Sequence, residues 1–199
     1  MIEFYGSPAS SSGRTHWMLE ETAVPYTYRR VVLRDPAQPV PEAVAANGGK
    51  VPVLIDGELT LNESMAINFY LAERYAPALW AADLTQRASL YRWSFWAISS
   101  LQPELLTLMW RAMQRPVGPA PERVESAQRE AARMLGFLEH ALTGREYLLD
   151  RGFSVADVNV GSVVNLARAT GVLTDAYPQT RAWLDKLRER PAYQRAARA

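Results

Sequence analysis

The first third of the chain alternates between two hydrophobic patterns, one typical of strands and one typical of helices. Ile2–Tyr5 alternates apolar and polar side chains, which predicts a short strand, and residues 14–22 place their apolar side chains on one side of a helix. Aromatic and β-branched side chains fill residues 26–33, which predicts a second strand. A short alanine-rich helix is predicted over residues 42–46. This order predicts a small mixed sheet with helices on its faces.

The segment from Asn47 to Ser64 combines a hairpin with the start of a helix. Pro52 opens an apolar strand, and because a proline has no N–H, the backbone of the residue before it is left to pair elsewhere. Asp56-Gly57 is a typical two-residue hairpin turn. Asn62 is a favourable N-cap for a helix over residues 63–75. A hairpin followed by an ordinary helix is the simplest interpretation of this segment.

Strand patterns disappear after Pro77, and the remainder of the chain is helical. Residues 86–114 form one long helical pattern that Pro103 is expected to bend. Ser154 and Asp157 have the spacing of a capping box, with aspartate in place of the usual glutamate. Further helices are predicted at residues 122–142, 158–166 and 178–190, and after Pro191.

This change of pattern predicts two domains. An α/β domain is expected at residues 1–79, a linker at 80–84, and an all-α helical domain at 85–199. With 199 residues and 48% hydrophobic content, the chain is long enough to build a core in each.

Composition excludes several classes of function. The formal net charge of +1 gives no basic surface for a nucleic acid or a membrane. The absence of cysteine removes disulfides, thiolate metal sites and any redox thiol of the protein itself. His16 and His140 are too few and too far apart in sequence to predict a metal site. The N-terminus lacks a signal-peptide pattern and no apolar run could span a bilayer, so we expect a cytoplasmic protein.

Three consecutive serines, Ser10 to Ser12, lie between the first strand and the first helix. Serine is a preferred N-cap residue, so capping is the simplest interpretation. The functional alternative is a hydroxyl that acts with the helix N-terminus to stabilise an anion, for example a thiolate. Because the chain has no cysteine, such a thiol would have to come from a ligand.

Four motifs in order make the chain resemble the cytosolic glutathione transferases over nearly its whole length. They are Ser7-Pro8-Ala9-Ser10-x-x-x-Arg14, Gly49-Lys50-Val51-Pro52-Val53-Leu54, Glu63-Ser64 and Phe153-Ser154-Val155-Ala156-Asp157. The resemblance implies a thioredoxin-like N-terminal domain followed by an all-α C-terminal domain. It also implies that the last motif stabilises the fold and does not bind a ligand.

The resemblance further implies a binding site for glutathione, with no metal. Pro52 matches the family's cis-proline, and Val51 would bind the cysteinyl backbone through its own N–H and C=O. Glu63 and Ser64 match the pair that holds the γ-glutamyl end, where charge and a helix N-terminus suit the ligand's ammonium and carboxylate. Lys50 matches a position that faces the glycyl carboxylate.

With Arg14 as the register mark, Ser10 matches the serine whose hydroxyl donates a hydrogen bond to the glutathione thiolate. Ser11 and Ser12 are the alternatives if the loop shifts by a residue. We therefore predict a homodimeric glutathione S-transferase that directs the thiolate at a small electrophilic substrate. The first alternative is a glutathione-dependent cis-trans isomerase of the maleylacetoacetate or maleylpyruvate type, and the second is a non-catalytic binding subunit of the same fold.

Overall fold

A computed structural model describes residues 1–8, 10–33, 38–113 and 118–198. Within it the chain forms two compact units. The first comprises Met1–Ala81 together with the chain from Glu189 onward, and the second comprises Ala82–Arg188. The two predicted domains were residues 1–79 and 85–199, so the observed division differs at the C-terminus, where the last helix belongs to the first unit.

The first unit contains four strands and four helices among the described residues. The strands are β1 (Ile2–Gly6), β2 (Tyr26–Arg30), β3 (Val53–Asp56) and β4 (Leu59–Asn62). The helices are α1 (Ser12–Thr22), α2 (Glu42–Ala46), α3 (Ser64–Tyr75) and, from the C-terminal segment, α9 (Pro191–Arg198), with a single 3-10 turn at Pro77–Leu79. The second predicted strand is shorter than expected, because it ends at Arg30 and not at residue 33.

The strands form one mixed sheet in the order β2-β1-β3-β4. β1 runs parallel to β2, with Phe4 opposite Tyr28, and antiparallel to β3, with Phe4 opposite Leu54. The β3–β4 hairpin has a two-residue turn at Gly57-Glu58, with Gly57 at a φ of 62°. The turn was predicted one residue earlier, at Asp56-Gly57, but Asp56 pairs with Leu59 in the sheet. The predicted antiparallel hairpin at the sheet edge is confirmed.

Helices α1 and α3 pack against each other in the first unit. The largest buried side chains of this unit come from both the helices and the sheet and are fully enclosed. They include Phe4, Leu54, Met18, Leu19, Ile67 and Leu71, each with no exposed surface.

Helix α9 is attached to α1 by charged and aromatic contacts. Arg190, just before α9, donates two hydrogen bonds to the carboxylate of Glu21, at 2.7 and 2.8 Å. Arg195 donates to Glu20, and the rings of Trp17 and Tyr193 meet edge to face at a centroid distance of 5.1 Å. These contacts explain why the C-terminal segment belongs to the first unit.

We expect Arg190→Ala to loosen α9. The Glu21 side chain is only 7% exposed, so removing its two-point partner leaves a mostly buried carboxylate with less compensation. A loss of about 1.5–3 kcal/mol in local stability should accelerate amide hydrogen exchange in α9 by roughly tenfold to a hundredfold. Arg198→Ala, at the exposed end of the same helix, is the matched control. Equal exchange in the two variants would contradict this role for Arg190.

The second unit consists of helices and connecting loops among its described residues. Its helices are α4 (Leu84–Trp96), α5 (Gln102–Ala112), α6 (Pro121–Ala141), α7 (Val155–Ala169) and α8 (Pro178–Glu189). The predicted helix over residues 86–114 is divided into α4 and α5 by a π-helical turn at Ala97–Leu101. Pro103 lies in the first turn of α5, directly after the π-helical turn. The predicted end of this helix, at residue 114, lies outside the described residues.

The start of α7 contains the predicted capping box. Ser154 and Asp157 are both fully buried, and the backbone N–H of Ser154 donates to the Asp157 carboxylate at 2.9 Å. The same carboxylate also accepts the backbone N–H of Leu148 and the indole N–H of Trp183. Asp157 therefore ties the loop before α7 and helix α8 to one buried point.

Across the described ranges, no helix is both long enough and apolar enough to cross a lipid bilayer.

Candidate functional site

The peptide bond between Val51 and Pro52 is cis, as the resemblance implies. Strand β3 begins at Val53, so the backbone of Val51 lies outside the sheet pairing. Its side chain packs against a small apolar cluster formed by Val31, Val44 and Val53. The side chain is therefore anchored, while the backbone N–H and C=O lie at the end of the sheet where a ligand's own backbone could pair with them.

The loop that leads to Val51 is fixed by two asparagines. The Asn47 side chain donates to the backbone C=O of Lys50 at 2.8 Å and accepts from the side chain of Asn62 at 2.7 Å. Between Asn47 and Lys50 the chain turns at Gly48 and Gly49, which have φ of 64° and 74°. Lys50 is exposed at the end of this turn. The asparagine pair was not predicted; an asparagine before two glycines was its only signal in the sequence.

Glu63 and Ser64 lie at the N-terminus of α3. Glu63 occupies the cap position with a φ of 62°, uncommon for a residue with a side chain, and Ser64 is the first helical residue, 3% exposed. The prediction that Asn62 caps this helix is wrong, because its side chain is directed to Asn47. An exposed carboxylate therefore stands next to the free N–H groups of a helix start.

A buried cation accompanies Glu63. Arg14 of α1 is only 5% exposed, and burial lowers the pKa of its guanidinium to about 10, although the nearby Glu63 carboxylate acts in the opposite direction. The side chain of Asn68 in α3 donates to the backbone C=O of Arg14 at 3.3 Å. A positive and a negative charge close enough to influence each other suit a ligand group with both, such as an α-amino acid. The sequence interpretation used Arg14 only as a register mark and missed this proximity.

The serine loop adjoins Val51. The Ser11 hydroxyl lies 3.5 Å from the backbone C=O of Val51, which joins the start of α1 to the cis-proline loop. The Ser10 hydroxyl lies 2.7 Å from the C=O of Ser7 and accepts the backbone N–H of Ser12 at 3.2 Å. The role of Ser10 as donor to the glutathione thiolate stays a prediction. The hydroxyls of Ser10 and Ser11 contact different groups.

His16 does not act on these serines in the described structure. Its Nε2 is 2.7 Å from the hydroxyl of Tyr26, on the far edge of the sheet from β3, and its ring packs against Phe4 and Tyr28. Burial lowers its pKa, which Glu20 partly opposes, so the imidazole is a neutral core group near neutral pH. Among the described residues, no three histidine, aspartate or glutamate side chains cluster closely enough to hold a metal ion.

Comparison with known proteins identifies the family. Residues 9–74 match the glutathione S-transferase N-terminal domain, and residues 100–191 match the glutathione S-transferase C-terminal domain. Glutathione S-transferase 3 of Zea mays is 30% identical over 211 residues, covering all of this chain and 94% of the relative. The chain belongs to the glutathione S-transferase family. The resemblance seen in the sequence and the predicted fold class are thereby confirmed.

Two further similar proteins extend this comparison. The theta class glutathione S-transferase of Xanthomonas axonopodis pv. citri, solved with glutathione bound, is 32% identical and superposes with a TM-score of 0.88 over 100% of this chain and 97% of that one. The disulfide-bond oxidoreductase YfcG of Escherichia coli (strain K12) is 28% identical, covering 96% of this chain and 92% of the relative. Proteins of similar identity to this chain are thus named for different reactions.

Proposed function

We propose that this protein binds glutathione and transfers its sulfur to an electrophilic carbon. The observation that carries this proposal is the 3.5 Å contact between the Ser11 hydroxyl and the C=O of Val51. It brings a hydroxyl and the N-terminus of α1 next to a backbone position suited to a cysteinyl peptide. A bound thiol would therefore lie beside groups that favour its anionic form.

The rest of the tripeptide is held by groups on either side of Val51. The N–H and C=O of Val51 pair with the cysteinyl residue, with cis-Pro52 fixing the turn. The exposed ammonium of Lys50 takes the glycyl carboxylate as a point charge. At the other end, Glu63 takes the ammonium of the γ-glutamyl group, and Ser64 with the N-terminus of α3 takes its carboxylate.

The proposed reaction needs little more than a stabilised anion. Glutathione loses its S–H proton to solvent, a serine hydroxyl donates a hydrogen bond to the thiolate, and the sulfur attacks the electrophilic carbon. A C–S bond forms and the leaving group departs with its electron pair. The serine is a hydrogen-bond donor and not a nucleophile, because it has no histidine base to activate it: His16 of the same helix is hydrogen-bonded to Tyr26.

A second candidate is glutathione-dependent reduction of a disulfide, because the Escherichia coli relative is named for that reaction. The chain has no cysteine, so both thiols would come from glutathione. Two glutathione molecules would be oxidised to glutathione disulfide while the substrate disulfide is reduced to two thiols. This candidate uses the same binding groups and differs only in what the thiolate attacks.

One experiment separates these outcomes. Calorimetry first measures glutathione binding, and the protein is then assayed with an activated aryl halide, a small cis-enedione and a small disulfide. Conjugation with the halide supports the transferase, formation of glutathione disulfide supports the reductase, and isomerisation without net loss of glutathione supports the isomerase. No binding at millimolar glutathione would contradict all three and favour a non-catalytic subunit.

We also propose that the protein is a homodimer, which the family resemblance implies. Static light scattering measures the mass in solution directly. A monomer mass at all concentrations would contradict this part of the proposal.

A further inference from the structure

The three serines of the loop make different contacts. The Ser10 hydroxyl accepts the backbone N–H of Ser12, one of the first N–H groups of α1, at 3.2 Å. The Ser10 hydroxyl can donate its one hydrogen to either of two acceptors in the loop. These are the C=O of Ser7 at 2.7 Å and the hydroxyl of Ser12 at 2.8 Å. Ser10 thus satisfies the helix start and a loop carbonyl, which is the behaviour of a capping residue.

Ser12 is enclosed by the protein. It is 1% exposed, and it lies so close to the end of β1 that a Cβ added at Gly6 would be 3.0 Å from its own Cβ. Its hydroxyl is directed to Ser10. A ligand could reach it only if β1 and α1 moved apart.

Ser11 is partly exposed and lightly held. It takes the N-cap position of α1, yet its side chain makes no capping bond there. Its hydroxyl is directed to the C=O of Val51 at 3.5 Å, which is at the upper limit for a hydrogen bond and is readily exchanged. It therefore combines the position at the helix N-terminus with a hydroxyl that a ligand can recruit.

We propose that Ser11, and not Ser10, donates the hydrogen bond to the glutathione thiolate, and that Ser10 is a positioning residue that caps α1. The inference rests on the proposed function, in which the cysteinyl N–H binds the C=O of Val51. That N–H displaces the Ser11 hydroxyl from the same oxygen. In a cysteinyl residue only the α and β carbons separate nitrogen from sulfur, so the displaced hydroxyl has the sulfur beside it. No proton leaves Ser11; the S–H proton goes to solvent.

The test measures the pKa of the bound thiol by the ultraviolet absorbance of the thiolate, together with glutathione affinity and thermal unfolding. We expect Ser11→Ala and Ser11→Gly to raise the bound thiol's pKa by about one to two units, as the loss of a charge-assisted hydrogen bond requires. Ser11→Thr keeps the hydroxyl and should retain the low pKa. The Ser11 side chain does not cap the helix, and glycine is a favourable N-cap residue. The melting temperature should therefore change little in Ser11→Gly.

Ser10→Ala should show the opposite pattern. Loss of the cap is expected to lower the melting temperature by about 2–4 °C, while the pKa of the bound thiol rises less than in Ser11→Ala. The Ser89 hydroxyl donates to a backbone C=O within α4, so Ser89→Ala controls for the loss of a serine hydroxyl from a helix.

The possible results distinguish the assignment to Ser11 from the proposed function. If Ser10→Ala raises the thiol pKa while Ser11→Ala and Ser11→Gly leave it low, the assignment to Ser11 is overturned and the proposed function stands. If the wild-type protein binds glutathione without lowering the pKa of its thiol, or does not bind it, both fall. A raised pKa in the two Ser11 variants with rescue by threonine establishes the assignment.

Discussion

Asp157→Ala is expected to destabilise the protein by about 3–5 kcal/mol, lowering the melting temperature by on the order of 10 °C. The Asp157 carboxylate is fully buried and accepts four hydrogen bonds: from Leu148, from Trp183, and from the backbone and the side chain of Ser154. Alanine leaves these donors buried without their acceptor, and each such donor costs about 1–3 kcal/mol if it stays unpaired.

Two further variants make this measurement specific. Asp157→Asn keeps one carbonyl acceptor and should lose less than Asp157→Ala. Asp150→Ala removes an aspartate from the same loop, but its side chain is 86% exposed and paired with Arg145 at the surface, so its effect should stay within about 0.5 kcal/mol. Equal melting temperatures for Asp157→Ala and Asp150→Ala would show that the capping box does not stabilise this fold.

Glu63→Gln is expected to weaken glutathione binding by roughly tenfold to a hundredfold, if the proposed site is right. Glutamine keeps the size of the side chain and removes the charge that pairs with the γ-glutamyl ammonium, a charge-assisted bond of about 1.5–3 kcal/mol. Isothermal titration calorimetry measures the change in Kd. Glu58→Gln, exposed on the β3–β4 hairpin, is the matched control and should bind as wild type.

A glutathione analogue that lacks the α-amino group tests this pairing directly. The wild-type protein should bind the analogue weakly, and Glu63→Gln should bind it no more weakly than wild type, because the partner of Glu63 is already absent. If Glu63→Gln weakens the analogue as much as it weakens glutathione, the carboxylate acts on another part of the site, and the assignment of the γ-glutamyl end to α3 is wrong.

Local chemistry explains why much of this fold could be predicted from the sequence. The β3–β4 hairpin and the Ser154–Asp157 box are decided by residues close in the chain, and both were predicted, although the turn lies at Gly57-Glu58, one residue later than expected. Hydrophobic periodicity located the helices for the same reason. The long helix was expected to bend at Pro103, and a π-helical turn interrupts it at Ala97–Leu101, just before that proline.

Predictions failed or stayed open where contacts join distant parts of the chain. Asn62 has the local signature of an N-cap, but its amide bonds Asn47, fifteen residues earlier. The electrostatic influence of Glu63 on Arg14 follows only once α1 and α3 are packed together. The serines illustrate the same limit, since a hydroxyl that caps and one that faces a ligand are identical in sequence and differ only by what lies opposite them.

Helix α9 gives the first unit a particular order of assembly. During synthesis the sheet and helices α1 and α3 emerge first, but Arg190 and Tyr193, which cover Glu21 and Trp17, emerge only after the whole helical unit. Domains generally fold as units in the order in which they are made. Here the earliest domain remains unfinished until α9 has been made, so its nascent form displays a carboxylate and an indole that α9 and Arg190 later cover.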